Sequence, residues 1–374
     1  MDHRGKLNVA FLLPYEANFH SGKGGAVVQW VGEIVKRSHR YSYTVIAKRL
    51  DNNSKFDRPV CSWIGRMGFK TYSSRTALGG FLWCLLNIRH WWGKNTIIVE
   101  NRPEYAVFMR QLGFTGRIFL HVHNDIFGDL NYRYLSEINQ SVNAIIVCSR
   151  SLLVPLQERH SDLCAKSKVI HNGVDGSVFR RNGSNSDGRI IILFVGRLEK
   201  NKGPLLIVEA YRKIFKECSH AELHLVGDWG NNPDSKYVSE IKAAIRECNS
   251  SGGKIVCHGY VSHDQDLPYL YSSASIFCFC STQSEAFPMV VIEAMSSQLC
   301  VVAAAIGGVP EALGDAGLLF SPGNEQDLQE KLLMALKDGN LRQRLAENAR
   351  NRATKLFSLS SIVGHFEDAL DHVN

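Results

Sequence analysis

Apolar runs without polar alternation place the tightest limit on how this chain can fold. Ile190-Ile191-Ile192-Leu193-Phe194-Val195 and Ile276-Phe277-Cys278-Phe279-Cys280 leave a sheet no face for solvent. Each therefore reads as a parallel strand covered on both sides. Shorter runs of the same kind recur, with helical stretches between them. In the first half the expected strands are Leu7–Leu13, Tyr43–Ala47, Ile97–Glu100, Ile118–Val122 and Ala144–Cys148. In the second they are Ile190–Val195, Glu222–Val226, Lys254–Cys257, Ile276–Cys280, Val301–Ala304 and Gly317–Phe320. This alternation is that of doubly wound α/β domains, and 374 residues suffice for two of them with ample core. The polar, glycine-rich stretch Arg180–Gly188 is the expected linker. Open sheets of this kind bind ligands beyond the carboxyl ends of their strands, so functional residues are expected in those loops.

Two such loops carry charge. After Ile276–Cys280 comes Ser284-Glu285-Ala286-Phe287-Pro288-Met289-Val290-Val291-Ile292-Glu293, with its two carboxylates eight positions apart. Pro288 fits the first helical position, where its missing N–H costs nothing. The N–H groups of Met289 and Val290 then point out of the helix start toward an anion. Glu293, four residues beyond Met289, leans back over that turn, while Glu285 stays in the loop. Paired acids flanking an anion-binding helix start suit a ligand bearing both hydroxyls and phosphates. Taken alone, they fit equally well as two glutamates favoured by the helix dipole. After Ile190–Val195 come Arg197 and Lys202, and Gly203-Pro204 then opens a helix. Two fixed cations beside a helix N-terminus can balance a diphosphate without a metal.

Phe194-Val195-Gly196-Arg197…Lys202-Gly203 and Glu285…Glu293 resemble the two signature loops of the retaining, GT-B-fold glycosyltransferases of family 4 (glycosyl transferases group 1). Val169-Ile170-His171-Asn172-Gly173-Val174-Asp175 is similar to that family's end-of-first-domain motif, and Gly24-Gly25 to its N-terminal glycine loop. The four motifs occur in order over nearly the whole chain. The resemblance implies two Rossmann-like doubly wound domains facing a central cleft. Residues 1–180 would bind the acceptor and 181–357 the nucleotide sugar, with a helix in 358–374 crossing back to the first domain. It implies that Glu293 binds ribose hydroxyls, that Arg197 and Lys202 bind the diphosphate, and that the backbone around Tyr260 meets the base. It places Glu285 on the hydroxyls of the transferred sugar and has Phe287, Met289 and Val290 line the phosphate loop. Gly25 would close on the distal phosphate, and His123 would face the sugar near the reacting carbon. The donor substrate is then a nucleotide sugar, UDP-linked by the family's commonest choice, with no further cofactor and no metal. Retention by same-face attack, with the diphosphate taking the acceptor's proton, assigns no enzymatic nucleophile. The alternatives are a GT-B-type epimerase or phosphorylase and a non-catalytic nucleotide-sugar-binding protein.

Two segments carry competing readings. Gly22 and Gly24 in Ser21–Ala26 have the spacing of a dinucleotide fingerprint, but Val27 stands at the third-glycine position. About eight residues also intervene after Leu13, whereas a true fingerprint turns directly from strand to helix. His121-Val122-His123-Asn124-Asp125 ends a strand with groups that can ligate metal, yet His-x-His alone usually does not, and no acid-x-acid motif accompanies it.

Ten cysteines lie scattered without Cys-x-x-Cys pairs, and no leader-like run precedes the first strand. The expected setting is the reducing cytoplasm. Residues 1–180 carry 24 Lys+Arg against 13 Asp+Glu, so the basic excess lies in the half assigned to the acceptor. There, Trp63 to Trp92 mixes Arg66, Lys70, Arg75 and Arg89 with Phe69, Phe81, Trp83 and Trp91. Basic and aromatic residues together suit the surface of an anionic membrane; Phe81–Trp92 fits equally as a core-facing helix. The membrane reading implies peripheral contact at the inner face of the cell membrane and a saccharide or lipid-linked acceptor of an envelope glycan. A basic face also attracts nucleic acid, but no recognition motif accompanies it, and no nucleic-acid partner is expected.

Overall fold

The computed structural model describes residues 8–14, 18–19, 26–47, 49–50, 60–61, 77–182, 188–230, 233–263 and 265–372. The chain divides into two compact units, residues 1–172 with 360–374, and residues 173–359.

The first unit begins β1 (Asn8–Leu12), β2 (Asn18–Phe19), α1 (Ala26–Arg37), β3 (Ser42–Ile46), β4 (Arg49–Leu50) and β5 (Val60–Cys61). It continues α2 (Ala77–Leu86), α3 (Ile88–Trp91), β6 (Thr96–Glu100), α4 (Pro103–Gln111), β7 (Arg117–Val122) and α5 (Tyr132–Ser141). It then adds β8 (Ala144–Val147), α6 (Val154–Arg159), α7 (Ser161–Ala165) and β9 (Ser167–Val169). Its main sheet is parallel, in the order β5-β3-β1-β6-β7-β8-β9, while β2 and β4 pair separately. The chain winds outward from β1 to β3 and β5, then returns to β6, so the direction of winding reverses between β1 and β6.

The second unit runs β10 (Ile190–Val195), α8 (Pro204–Ile214), β11 (Ala221–Val226), α9 (Ser235–Ser250), β12 (Ile255–Gly259), α10 (Leu267–Ser273) and β13 (Ile276–Phe279). It continues α11 (Met289–Ser296), β14 (Cys300–Ala304), α12 (Val309–Leu313), β15 (Gly317–Phe320), α13 (Glu325–Lys337) and α14 (Gly339–Leu356). Its sheet is wholly parallel in the order β12-β11-β10-β13-β14-β15. Here the winding reverses between β10 and β13, the two apolar runs that carry the charged loops. Ile192, Phe194, Leu223, Leu225, Cys278 and Val302 are buried from one face against Ile207, Val208 and Leu332 of the covering helices, and Leu193, Phe277 and Val301 of the other face are buried too, which explains the lack of polar alternation.

The boundary falls at Asn172/Gly173, eight residues before the one read from the polar stretch. Val174 bridges to Ser358, and Phe179 gives its carbonyl to Ser296 Oγ and to Arg350 Nη1, so 173–179 pack with the second unit. Residues 183–187 of the linker segment lie outside the described residues. The last helix, α15 (Leu359–Asp371), packs on the first unit. Phe366 stacks on Phe11 at 6.0 Å and meets Trp30 edge-on at 4.9 Å, and Arg117 Nη1 donates to Leu370 O at 2.7 Å.

Trp83 and Trp91, which fit a membrane interface and a core-facing helix equally by sequence, are core residues. Both are buried, with Trp83 Nε1 donating to Leu13 O and Trp91 Nε1 to Cys84 O. Leu85, Leu86, Arg89 and Trp92 of the same segment are exposed, whereas Trp63, Arg66, Phe69, Lys70 and Arg75 lie outside the described residues. No described helix is long and apolar enough to cross a membrane.

Candidate active site

Open α/β sheets bind ligands where the winding reverses, because the two diverging loops leave a crevice between them. In the second unit that point lies between β10 and β13, and its loops carry Arg197, Lys202 and Glu285. Two glycines let the backbones meet there. Gly203 precedes α8 with φ +71°, and a Cβ would stand 2.2 Å from Cys280 O. Gly307 has φ +55°, and a Cβ would stand 2.1 Å from Glu285 O. The loops are also hydrogen-bonded together: Thr282 N–H donates to Asn201 O at 2.9 Å and Gly308 N–H to Glu285 O at 2.8 Å.

On this frame Lys202 Nζ forms an ion pair with Glu285 Oε1, both side chains half-buried. Ser281 Oγ lies 3.2 Å from the same oxygen. Arg197, the more exposed cation, pairs with Glu199 at 2.9 Å. The site therefore holds both cations already matched to carboxylates, an arrangement the sequence reading did not include.

Helix α11 starts at Met289, with Pro288 as its N-cap (φ −72°, ψ 121°) rather than its first helical residue. The shift of one residue keeps Met289 and Val290 at the first two positions, whose N–H groups have no acceptor within a helix. Phe287 reaches the loop, but its ring is buried against Phe357 at 5.3 Å. Its side chain belongs to the core, and only its backbone lines the loop. Tyr260 is exposed just beyond β12.

Glu293 is only 2 % exposed, one turn into α11. Its oxygens lie 3.0 Å from His263 Nε2 and 3.1 Å from Tyr271 Oη. Burial and the neighbouring Glu293 charge push the Tyr271 hydroxyl well above its ordinary value, so it stays protonated and donates. Each carboxylate oxygen keeps a further lone pair for a ligand hydroxyl.

In the first unit the corresponding reversal lies between β1 and β6. Gly25 lies outside the described residues. His123 follows β7 with its side chain buried. Its Nε2 is 2.9 Å from Glu100 Oε2, and His121 Nδ1 is 3.2 Å from Glu100 Oε1. Glu100 is the neighbour that spacing along the chain does not reveal. It sits 21 positions before His121, yet the β6–β7 register pairs the two directly. The three donors lie within 4.8 Å of one another, so His-x-His has the third metal-capable partner that the sequence reading lacked. Hydrogen bonds within the trio account for that spacing.

Burial lowers the His121 imidazole to about 4 despite the Glu100 charge beside it. For Glu100, burial acts upward but is outweighed by His121 and His123, leaving the carboxyl below its ordinary value. Both folded values lie below the unfolded ones, so the unfolded chain binds more protons in acid. The stability from His121 and Glu100 is complete above pH 6.5 and drains away as pH falls toward 4 and below. For His121 alone the loss is on the order of 3 kcal/mol. Thermal unfolding from pH 7.5 to 4.5 should show Tm falling most steeply below 6.5; a flat Tm across that window contradicts it.

Two parallel doubly wound units, with paired acids and bases at the reversal point of the second, make this a GT-B glycosyltransferase architecture. Residues 177–352 match the family described as Glycosyl transferases group 1. The lipopolysaccharide 1,2-N-acetylglucosaminetransferase of Salmonella typhimurium is 24 % identical over 74 % of this chain and 72 % of its own. Spore coat protein SA of Bacillus subtilis is 25 % identical over 69 % and 73 %. The fold matches HepE of Anabaena, solved with UDP, at a TM-score of 0.77 with 20 % identity, covering 98 % of this chain and all of that one. Residues 177–352, most of the second unit, are thus a group 1 glycosyltransferase domain.

Proposed function

We propose that this enzyme moves a hexose-type sugar from a UDP-sugar to a saccharide or lipid-linked acceptor of the cell envelope, with retention of configuration and without a metal. The observation that carries the reading is the Lys202–Glu285 ion pair, held where the winding reverses and beside Arg197 and the start of α11. UDP as the nucleotide is supported by HepE, whose structures contain UDP and UDP-glucose. The acceptor class is supported by relatives named for lipopolysaccharide, for O-antigen chain mannosylation and for a diphosphoundecaprenol-linked saccharide.

Breaking the bond between the anomeric carbon and the diphosphate oxygen leaves an oxocarbenium-like sugar and a more negative diphosphate. Arg197, Lys202 and the N–H groups at the start of α11 stabilise that leaving group. The acceptor hydroxyl attacks the same face, forms the new C–O bond and gives its proton to the departing diphosphate oxygen. Glu285 orients the sugar through its hydroxyls, Glu293 holds the ribose, and His123 contacts the sugar. A lipid-linked acceptor would be met at the cytoplasmic surface of the cell membrane.

The test is transfer from UDP-, GDP- and ADP-sugars to diphosphoundecaprenol-linked saccharides carried in anionic vesicles, with product anomers read by NMR. Transfer from the UDP-sugar with retained configuration, unaffected by EDTA, is expected, with the protein sedimenting with the vesicles at low salt. Inverted product, or activity lost to EDTA and restored by manganese, contradicts the mechanism. Epimerised donor formed without acceptor would identify an epimerase.

A further inference from the structure

We propose that Glu100 is a positioning residue that fixes the His123 imidazole in the Nε2–H tautomer, so that Nδ1 is an acceptor for a hydroxyl of the transferred sugar. This rests on the sugar-facing role proposed above for His123. An ionised carboxylate only accepts hydrogen bonds. With Glu100 Oε2 2.9 Å away, Nε2 must carry a proton, and in the neutral form of the ring the lone pair falls on Nδ1. No described residue bonds that nitrogen.

Four contacts keep the arrangement from relaxing. His121 Nδ1 straddles the Glu100 carboxylate, 3.1 Å from Oε2 and 3.2 Å from Oε1, so the fully buried group is held from a second side. Trp30 packs on both rings, with centroids 4.2 Å from His121 and 5.6 Å from His123. Asn101, at φ +56°, accepts the His123 N–H through Oδ1 at 2.7 Å. Its own N–H donates to His121 O at 2.8 Å. A non-glycine residue in this left-handed region is uncommon, and here it lets one residue hold both backbones. Ring and main chain of His123 are thus fixed independently, which exceeds what burying a histidine requires.

The experiment is 15N NMR of the histidine-labelled protein, with the His123 signals assigned by His123→Gln. In the wild type His123 should be in the Nε2–H form; finding Nδ1–H there overturns the proposal, whatever any variant does. Glu100→Gln keeps the shape but can donate to Nε2, so the ring should shift toward Nδ1–H. Turnover should then fall roughly 10–100-fold, the scale seen when a histidine's orienting partner is lost. UDP affinity by calorimetry should change less than about 2-fold. Unchanged turnover in Glu100→Gln beside an inactive His123→Gln sinks the positioning role alone. Full activity in His123→Gln sinks the sugar-facing role beneath it. A stoichiometric zinc ion bound by the wild type and lost in Glu100→Gln would replace the proton with a metal and also overturn it.

Discussion

Replacing either Arg197 or Lys202 with alanine should lower turnover about 100-fold or more, equivalent to roughly 3 kcal/mol of transition-state stabilisation. In the proposed mechanism each cation faces a leaving group whose negative charge grows as the glycosidic bond breaks, so kcat should fall along with donor affinity. The two variants should differ in a way that the structure dictates. Lys202→Ala strips Glu285 of its half-buried counter-ion, whereas Arg197→Ala leaves Glu199 close to solvent. The lysine variant should therefore also disturb sugar orientation and be the more damaged of the two. Steady-state kinetics with the donor varied measure this, and near-wild-type turnover in both variants would remove the diphosphate site from this loop.

The second large effect separates the carboxylates. Glu293→Ala should weaken UDP and UDP-sugar alike, because the proposed partner of Glu293 is the ribose they share. It also removes the carboxylate that Tyr271 Oη and His263 Nε2 meet, leaving the buried Tyr271 hydroxyl only the Val290 carbonyl at 3.2 Å. Glu293→Gln, which keeps one acceptor, is the better folded probe of binding. Glu285→Gln should depress transfer strongly without weakening UDP, since the proposed partner of the carboxylate is the sugar and loss of its charge frees Lys202. Calorimetry with UDP set against turnover decides the matter, and the reverse pattern would mean that the two roles are exchanged.

How much of this was legible follows from what each signal depends on. Ile190–Val195 and Gly317–Phe320 match the observed strands to the residue, because an unbroken apolar run between polar ends has few other places to go. The loops after β10 and β13 were legible as charged strand ends, and the sheet order then brings them together. Glu100 was not legible, because its partnership with His121 and His123 is created by strand register rather than by spacing along the chain. The pairing of Arg197 with Glu199 and of Lys202 with Glu285 was likewise hidden. A list of charges does not say which will neutralise one another before a substrate arrives. Phe287 was misread, and Trp83 and Trp91 stayed open between interface and core, for a related reason: an aromatic beside a basic residue or a binding loop looks the same whether its ring faces outward or into the core.

With the donor bound as proposed, the pre-formed Lys202–Glu285 pair makes its capture an exchange of partners rather than the filling of a bare cationic pocket. An arriving diphosphate competes with Glu285 for Lys202 and with Glu199 for Arg197, so much of its attraction replaces ion pairs that already exist. Two consequences distinguish such a site from an open cluster of positive charge. Its affinity should depend only weakly on salt, since screening weakens the broken and the formed pairs together. The same displacement also turns Glu285 loose at the moment when a sugar is attached to the anion that released it. An anion lacking a sugar would liberate the carboxylate with nothing to hold, which makes the sugar's own hydroxyls the natural replacement for the lost lysine.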